Sequence, residues 1–336
     1  MRLKLNGPTM GTRWSVICDV APDRDSKPMH AALQAAVDRV DAQMSPWKPG
    51  SDLMRLNGAP VETWVGLPAE ILHVLARALE ISRLSAGAFD PAVGALVDAW
   101  GFGAARDVPD AQAIRVAGDT SRCPAHENLE LDLDAGRARK RARLQIDLCG
   151  IAKGYAVDCM VDVLQHYDIR HALAALDGEL RALGSQADGQ PWAVALENPE
   201  VGRRSTHGVI ELRDLAVATS GDYRRFVRLG GAHVAHTMDG RRAAPVRNDV
   251  ASVTVLARTC MDADAWATAL LVAGSSDGPA MAHRLGLEAL WLLRREGTLV
   301  EMGSGRFDSA ATSSISACVP RDRSARTCHR AHDLRE

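Results

Sequence analysis

Short alternating apolar runs are interspersed along this chain with longer stretches whose apolar residues recur every three to four positions. The two kinds follow no regular strand–helix–strand rhythm. A doubly wound parallel sheet needs that rhythm, because each parallel strand must be followed by a crossover. The pattern therefore predicts an α+β fold of mixed strands and helices. Trp14, Val16 and Cys18 alternate with polar residues and predict a strand after a turn containing Gly7-Pro8. Leu33, Ala36, Val37, Val40 and Met44 predict a helix, which Pro46, Pro49 and Gly50 cannot continue. Ile71, Leu75, Leu79 and Leu84 predict another, ended by Gly87.

Leu144 and Ile146 read as strand residues that run into a turn, Asp147-Leu148-Cys149-Gly150. A helix follows, with Ala152, Ala156, Cys159, Val163 and Leu164 on one face. Further strands are expected at Trp192–Leu196, Val209–Leu212 and Val253–Leu256. A helix should run from Asp262 to Gly274, and a last strand pair should lie at Ala289–Leu293 and Leu299–Met302. Residues 107–143 are polar and irregular, apart from an alternation around Leu129 to Leu133. There is no internal repeat. One domain over residues 1–308 and a loose Ser- and Arg-rich tail over 309–336 are expected.

With 46% hydrophobic residues the chain can bury a sizeable core, which argues against disorder. Its 40 basic and 42 acidic side chains nearly cancel, so nucleic acid and anionic membrane are poor candidates for partners. No apolar stretch approaches the roughly 20 residues that span a bilayer. The first residues, Met1-Arg2-Leu3-Lys4-Leu5-Asn6, have no apolar signal-peptide core, and no lipid-attachment cysteine lies near them. The sequence as it stands reads as cytoplasmic, or as an exported (periplasmic) form whose leader has been removed. Seven scattered cysteines suggest reduced thiols rather than a disulfide frame. Cys318, Cys328, His329 and His332 match no common zinc spacing.

Five segments carry groups suited to chemistry. At Asp147 to Tyr155 a strand–glycine turn–helix start would aim free backbone N–H groups at one place, a natural phosphate site, with Lys153 adding charge. The alternative is a plain structural corner with Lys153 solvated. It is no Walker loop. In Met261 to Thr268, Asp264 and Thr268 lie four apart on one helix face and offer hard oxygens suited to Mg²⁺. The alternative there is that Asp262 or Asp264 only caps the helix. His233 and His236 sit in a Gly-flanked loop and include a candidate general base, or are surface turn residues. Ala218 to Arg224 reads as a polar turn. Phe89 and Trp100 would face a flavin or adenine ring, or simply fill core.

The order of these segments is more specific than any one of them. Met10-Gly11-Thr12, Met44-Ser45-Pro46-Trp47, Ser51 to Asn57, Gly87-Ala88-Phe89-Asp90-Pro91, Ile146 to Asp158, Ala218 to Tyr223, His236 to Asp239 and Ala263 to Thr268 together resemble the ApbE family of FAD:protein FMN transferases, from about Leu3 to Arg306. The resemblance implies a single domain with FAD bound in a central cleft. It implies FAD contacts at Met10, Trp47, Ala88, Phe89, Asp90, Asp147, Lys153 and Met238, with Trp47 at a position often filled by Tyr. It implies Mg²⁺ held by the backbone oxygen of Gly150 with Asp264 and Thr268, and His236 as the base. Ala267 stands where some members have a further acidic ligand. Asp177-Gly178 replaces the usual Gly-Gly pair, and Gly240 replaces a proline, which would leave the His236 loop freer.

What the resemblance implies as function is Mg²⁺-dependent cleavage of FAD. FMN would pass to a Ser or Thr of an acceptor flavoprotein subunit bearing a motif like Asp-x-x-Ser/Thr-Gly-Ala-Ser/Thr, with release of AMP. Two rivals remain: an FAD pyrophosphatase, in which water replaces the protein hydroxyl, and a flavin-binding protein without catalysis.

Overall fold

The computed structural model describes residues 1–308 apart from 120–123, 201, 203–204, 224–225 and 230–231. The expected tail and the Cys328 cluster lie outside the described residues. Eight strands form the central sheet: β1 (Arg2–Thr9), β2 (Thr12–Asp19), β3 (Ala172–Leu176), β4 (Glu179–Leu183), β5 (Ala216–Gly221), β6 (Val250–Ala257), β7 (Glu288–Arg295) and β8 (Thr298–Ser304). Each pairs antiparallel with the strand before it, so their order across the sheet is their order along the chain. No parallel crossover is needed, and helices and hairpins are inserted between neighbours instead. The architecture is α+β.

Alternation along the strands divides the interior into two layers. Val253, Val255, Ala289, Trp291 and Leu293 face a large core, while Leu256, Leu290 and Leu292 face a smaller one. Four helices cover the first face: α1 (Lys27–Met44), α2 (Ala69–Leu84), α3 (Ala152–His166) and α4 (Cys260–Leu285). On α1 the buried Met29, Leu33, Ala36, Val37, Val40 and Met44 recur at helical spacing. Each of the larger of these side chains, once fully buried, stabilises the fold by roughly 1.5–3 kcal/mol. A hairpin of Trp192–Glu197 with Thr206–Leu212 covers the second face, and Trp192, Val194 and Leu196 point inward. No described helix is long and apolar enough to cross a membrane.

Several expectations need correction. Gly7-Pro8 lies inside β1, and the turn is Met10-Gly11, both with positive φ (45° and 70°). Leu144 and Ile146 form no strand. Their stretch is extended, but its neighbours are a short helical segment and a side chain: Gly94 N donates to Gln145 O (2.9 Å), Asp147 N to Pro91 O (2.8 Å) and Ile146 N to Asn57 Oδ1 (2.7 Å). Residues 107–143 hold helices Ala111–Asp119 and Ala125–Asn128 and the paired strands Leu129–Asp132 and Arg137–Lys140. Gly274 breaks helical geometry (φ 75°, ψ −174°), yet a further helical stretch follows it to Leu285. The segment from Ala218 is not a turn at its start, because Ala218 to Gly221 belong to β5 in mid-sheet. The β3–β4 hairpin was unforeseen. Its turn is Asp177-Gly178, with Asp177 at φ 56°, a conformation Asp tolerates better than most residues.

Candidate functional site

A cleft of about 1460 Å³ opens at the ends of α3 and α4, and all twelve residues singled out for FAD, metal or base line it. Its floor is the turn before α3. The Asp147 carboxylate accepts from Cys149 N (2.7 Å), and Ala152 N donates to Leu148 O (2.8 Å), which closes the turn. Burial raises the pKa of Asp147. Gly150 is hemmed in: a Cβ there would stand 3.1 Å from Thr268 Oγ1 and 3.4 Å from Phe89 Cε2. The turn, α4 and the Phe89 segment therefore meet at this glycine.

One helical turn on, α3 and α4 touch backbone to backbone. A Cβ on Gly154 would fall 2.3 Å from the Cys260 carbonyl oxygen, so only glycine permits the crossing. Gly154 N donates to Asp264 Oδ2 at 3.0 Å. Thr259, not an aspartate, caps α4, with its hydroxyl accepting from Asp262 N (3.2 Å). Asp262 binds Arg77 (2.7 Å) instead. Asp264 is thus no cap but a buried carboxylate facing the cleft. Burial first, and Glu179 second, push its pKa up to about 7. Thr268 Oγ1 lies 3.1 Å from Ser220 Oγ.

Lys153 is not a solvated corner residue. Its ammonium binds Glu179 Oε1 at 2.6 Å and lies 3.8 Å from Asp177 Oδ2. Burial alone would lower its pKa, but the carboxylates of Glu179 and Asp264 outweigh that and raise it. Asp158, one turn beyond Gly154, accepts from Cys260 N and Met261 N (both 2.9 Å) and from Arg181 (2.6 Å). It ties the start of α4 to α3.

The remaining residues come from loops around this centre. Ala88 and Phe89 are buried beneath it. Asp90 Oδ1 accepts from Ala92 N and Ala125 N (both 3.0 Å), which fixes that loop. Met10 reaches the cleft from the β1–β2 turn, and Trp47, half-exposed, stands at its rim after α1. Trp100 does not line the cleft, but Phe102 does, and its ring meets His236 edge-on with centroids 6.3 Å apart. His236 follows the strand Ala232–Ala235, not a free loop, and precedes Met238-Asp239, which pairs with Ala244-Pro245. Gly240 leaves little freedom either. It is buried, and a Cβ there would stand 3.1 Å from Asp90 Oδ2.

The ApbE family profile matches residues 10–291, a span containing every cleft residue named above. The chain belongs to the ApbE family. It is similar to the FAD:protein FMN transferase of Vibrio cholerae serotype O1, with 34% identity over 311 residues, 91% of this chain and 92% of that protein. It is also similar to that of Haemophilus influenzae, at 31% identity over 91% of this chain and 90% of the relative. Among solved structures, flavin transferase ApbE from Vibrio cholerae aligns with a TM-score of 0.81 at 33% identity, covering 91% of this chain and 98% of its own. The apo flavinyl transferase ApbE of Pseudomonas stutzeri aligns with a TM-score of 0.82 at 31% identity over 94% and 98%.

Within this ApbE-family cleft the groups suited to a hard cation are the Gly150 carbonyl, the Asp264 carboxylate and the Thr268 hydroxyl. The described residues contain no cluster of three or more His, Cys, Asp or Glu placed to hold a metal. Cys18, Cys159 and Cys260 are free thiols, and burial pushes the Cys159 thiol up to about 12. Glu179 and Asp158 are absent from the expected site residues, and Ser220 enters only within the polar segment Ala218 to Arg224. Asp158 had a faint signal, since an acid four residues past Gly154 falls on a buried helix position, whereas Glu179 is out of phase with the apolar Leu180 and Ala182 and had none.

Proposed function

We propose that this cleft binds FAD, breaks its pyrophosphate and passes FMN to a Ser or Thr hydroxyl of an acceptor flavoprotein subunit, releasing AMP. The observation that carries this reading is the convergence at Gly150. There the turn before α3, a buried carboxylate and a hydroxyl share one corner beside Lys153.

These residues suit Mg²⁺. The donor set is all oxygen, as Mg²⁺ prefers, and the ion keeps room for phosphate and water. Among the described residues Asp264 is hydrogen-bonded only through Oδ2, to Gly154 N, and its burial disfavours a negative charge that a cation would relieve. Mg²⁺, when bound by Gly150, Asp264 and Thr268, supplies charge neutralisation for the pyrophosphate and its leaving group.

The chain's own groups do the rest. The Lys153 ammonium holds phosphate oxygens, because the N–H groups of Cys149, Ile151, Ala152 and Gly154 at the start of α3 are already taken by Asp147, Leu148 and Asp264. Met10, Trp47, Ala88, Phe89, Asp90, Asp147 and Met238 contact FAD and orient it. His236 accepts the proton of the incoming hydroxyl as its oxygen bonds to the phosphorus of the FMN half, and the bond from that phosphorus to the AMP oxygen breaks. The same site would hydrolyse FAD if water took the hydroxyl's place. A storage protein would need no such cation corner. Release of AMP from FAD, followed by chromatography with Mg²⁺ and with EDTA, tests the reading. Mg²⁺-dependent AMP is expected, and FAD bound but never cut would refute it.

A further inference from the structure

Glu179 opens β4 with its side chain only 4% exposed. Oε1 accepts from Lys153 at 2.6 Å, whereas Oε2 is buried and has no hydrogen-bond partner among the described residues. Among the described residues, the other buried side-chain atoms without partners belong to Thr9, Gln43, Trp100, Trp192 and Trp291, none of which lines the cleft. Glu179 does line it. A buried carboxylate oxygen left without a donor is costly. With Mg²⁺ holding Asp264 ionised, neither it nor the Asp177 carboxylate offers a donor, and Lys153 is engaged by Oε1.

We propose that Glu179 is a substrate-binding residue whose Oε2 accepts a hydrogen bond from a hydroxyl or amino group of the bound nucleotide, while Oε1 holds Lys153. This rests on the preceding reading of FAD as the substrate. The ionised phosphates of FAD carry no donor. The ribityl chain, the ribose and the adenine amino group do, so the donor belongs to one half of the molecule.

Glu179→Gln tests this, because its amide oxygen still accepts from Lys153 while an NH₂ replaces Oε2. FAD, FMN and AMP are titrated separately into the full chain with Mg²⁺ and no acceptor. FAD should bind at least about tenfold more weakly than to wild type, and only one of FMN and AMP should lose the same factor. Affinities all within about twofold of wild type would overturn the proposal. So would equal losses for FMN and AMP, since both carry phosphate and the residue would then act through Lys153 alone. Should the Gln variant fail to fold, Glu179→Asp, which keeps the charge but draws it back by a methylene, is read the same way. Wild-type protein that failed to bind FAD would instead count against the preceding reading.

Discussion

The backbone N–H of Gly154 on α3 donates to the carboxylate of Asp264 on α4 at 3.0 Å, across a crossing so close that a Cβ on Gly154 would meet the Cys260 carbonyl at 2.3 Å. The helix start that carries Lys153 and the helix that suits a cation are thereby held in one register. Gly154→Ala should force the helices apart at a cost of about 1–3 kcal/mol. Thermal melting should show a lower Tm, and Mg²⁺ should raise that Tm less than in wild type. An unchanged response to Mg²⁺ would mean that the crossing does not set the cation corner.

Asp264→Ala should abolish AMP release, by at least about 10²-fold, while some FAD still binds. Flavin fluorescence titration and AMP chromatography measure the two separately. Turnover at the wild-type rate would remove Asp264 from the metal assignment.

The pKa of Asp264, raised from 3.8 to about 7 by burial and Glu179, has a consequence with a definite sign. The metal-free folded chain holds this proton more tightly than the unfolded chain. Its stabilising share is therefore complete below pH 3.8 and is lost as the pH rises through about 7. Mg²⁺ needs the ionised form, so it must displace the proton on the acid side. The rise in Tm caused by Mg²⁺ should be larger at pH 8 than at pH 6, and the opposite trend would contradict the assignment.

His236→Ala should slow transfer of flavin to an acceptor by about 10²- to 10⁴-fold and leave FAD affinity nearly unchanged. A loss of affinity with an unchanged transfer rate would make His236 a binding residue rather than the base.

Much of this was legible in the sequence because periodicity reports burial directly. The repeats in α1 and α2 and the alternations in β2, β6 and β7 all mark faces turned to a core. What was hidden depended on partners distant in sequence. Ile146 looks like a strand residue, but its N–H is taken by the side chain of Asn57. Ala218 looks like turn chemistry, but it lies in β5 between β4 and β6. The pairs that build the site, Gly154 with Asp264 and Lys153 with Glu179, span 110 and 26 residues, and no local pattern announces them. Resemblance brought the cleft residues together where spacing alone had left each one open.

Incubation with FAD, Mg²⁺ and an acceptor polypeptide bearing the Asp-x-x-Ser/Thr-Gly-Ala-Ser/Thr motif separates flavin transfer from hydrolysis, with AMP and acceptor-bound flavin measured in one reaction. A fluorescent flavin band on the acceptor is expected, appearing mole for mole with AMP and absent when the acceptor's Ser or Thr is replaced by Ala. AMP released with no flavin on the acceptor would contradict transfer and leave hydrolysis as the activity.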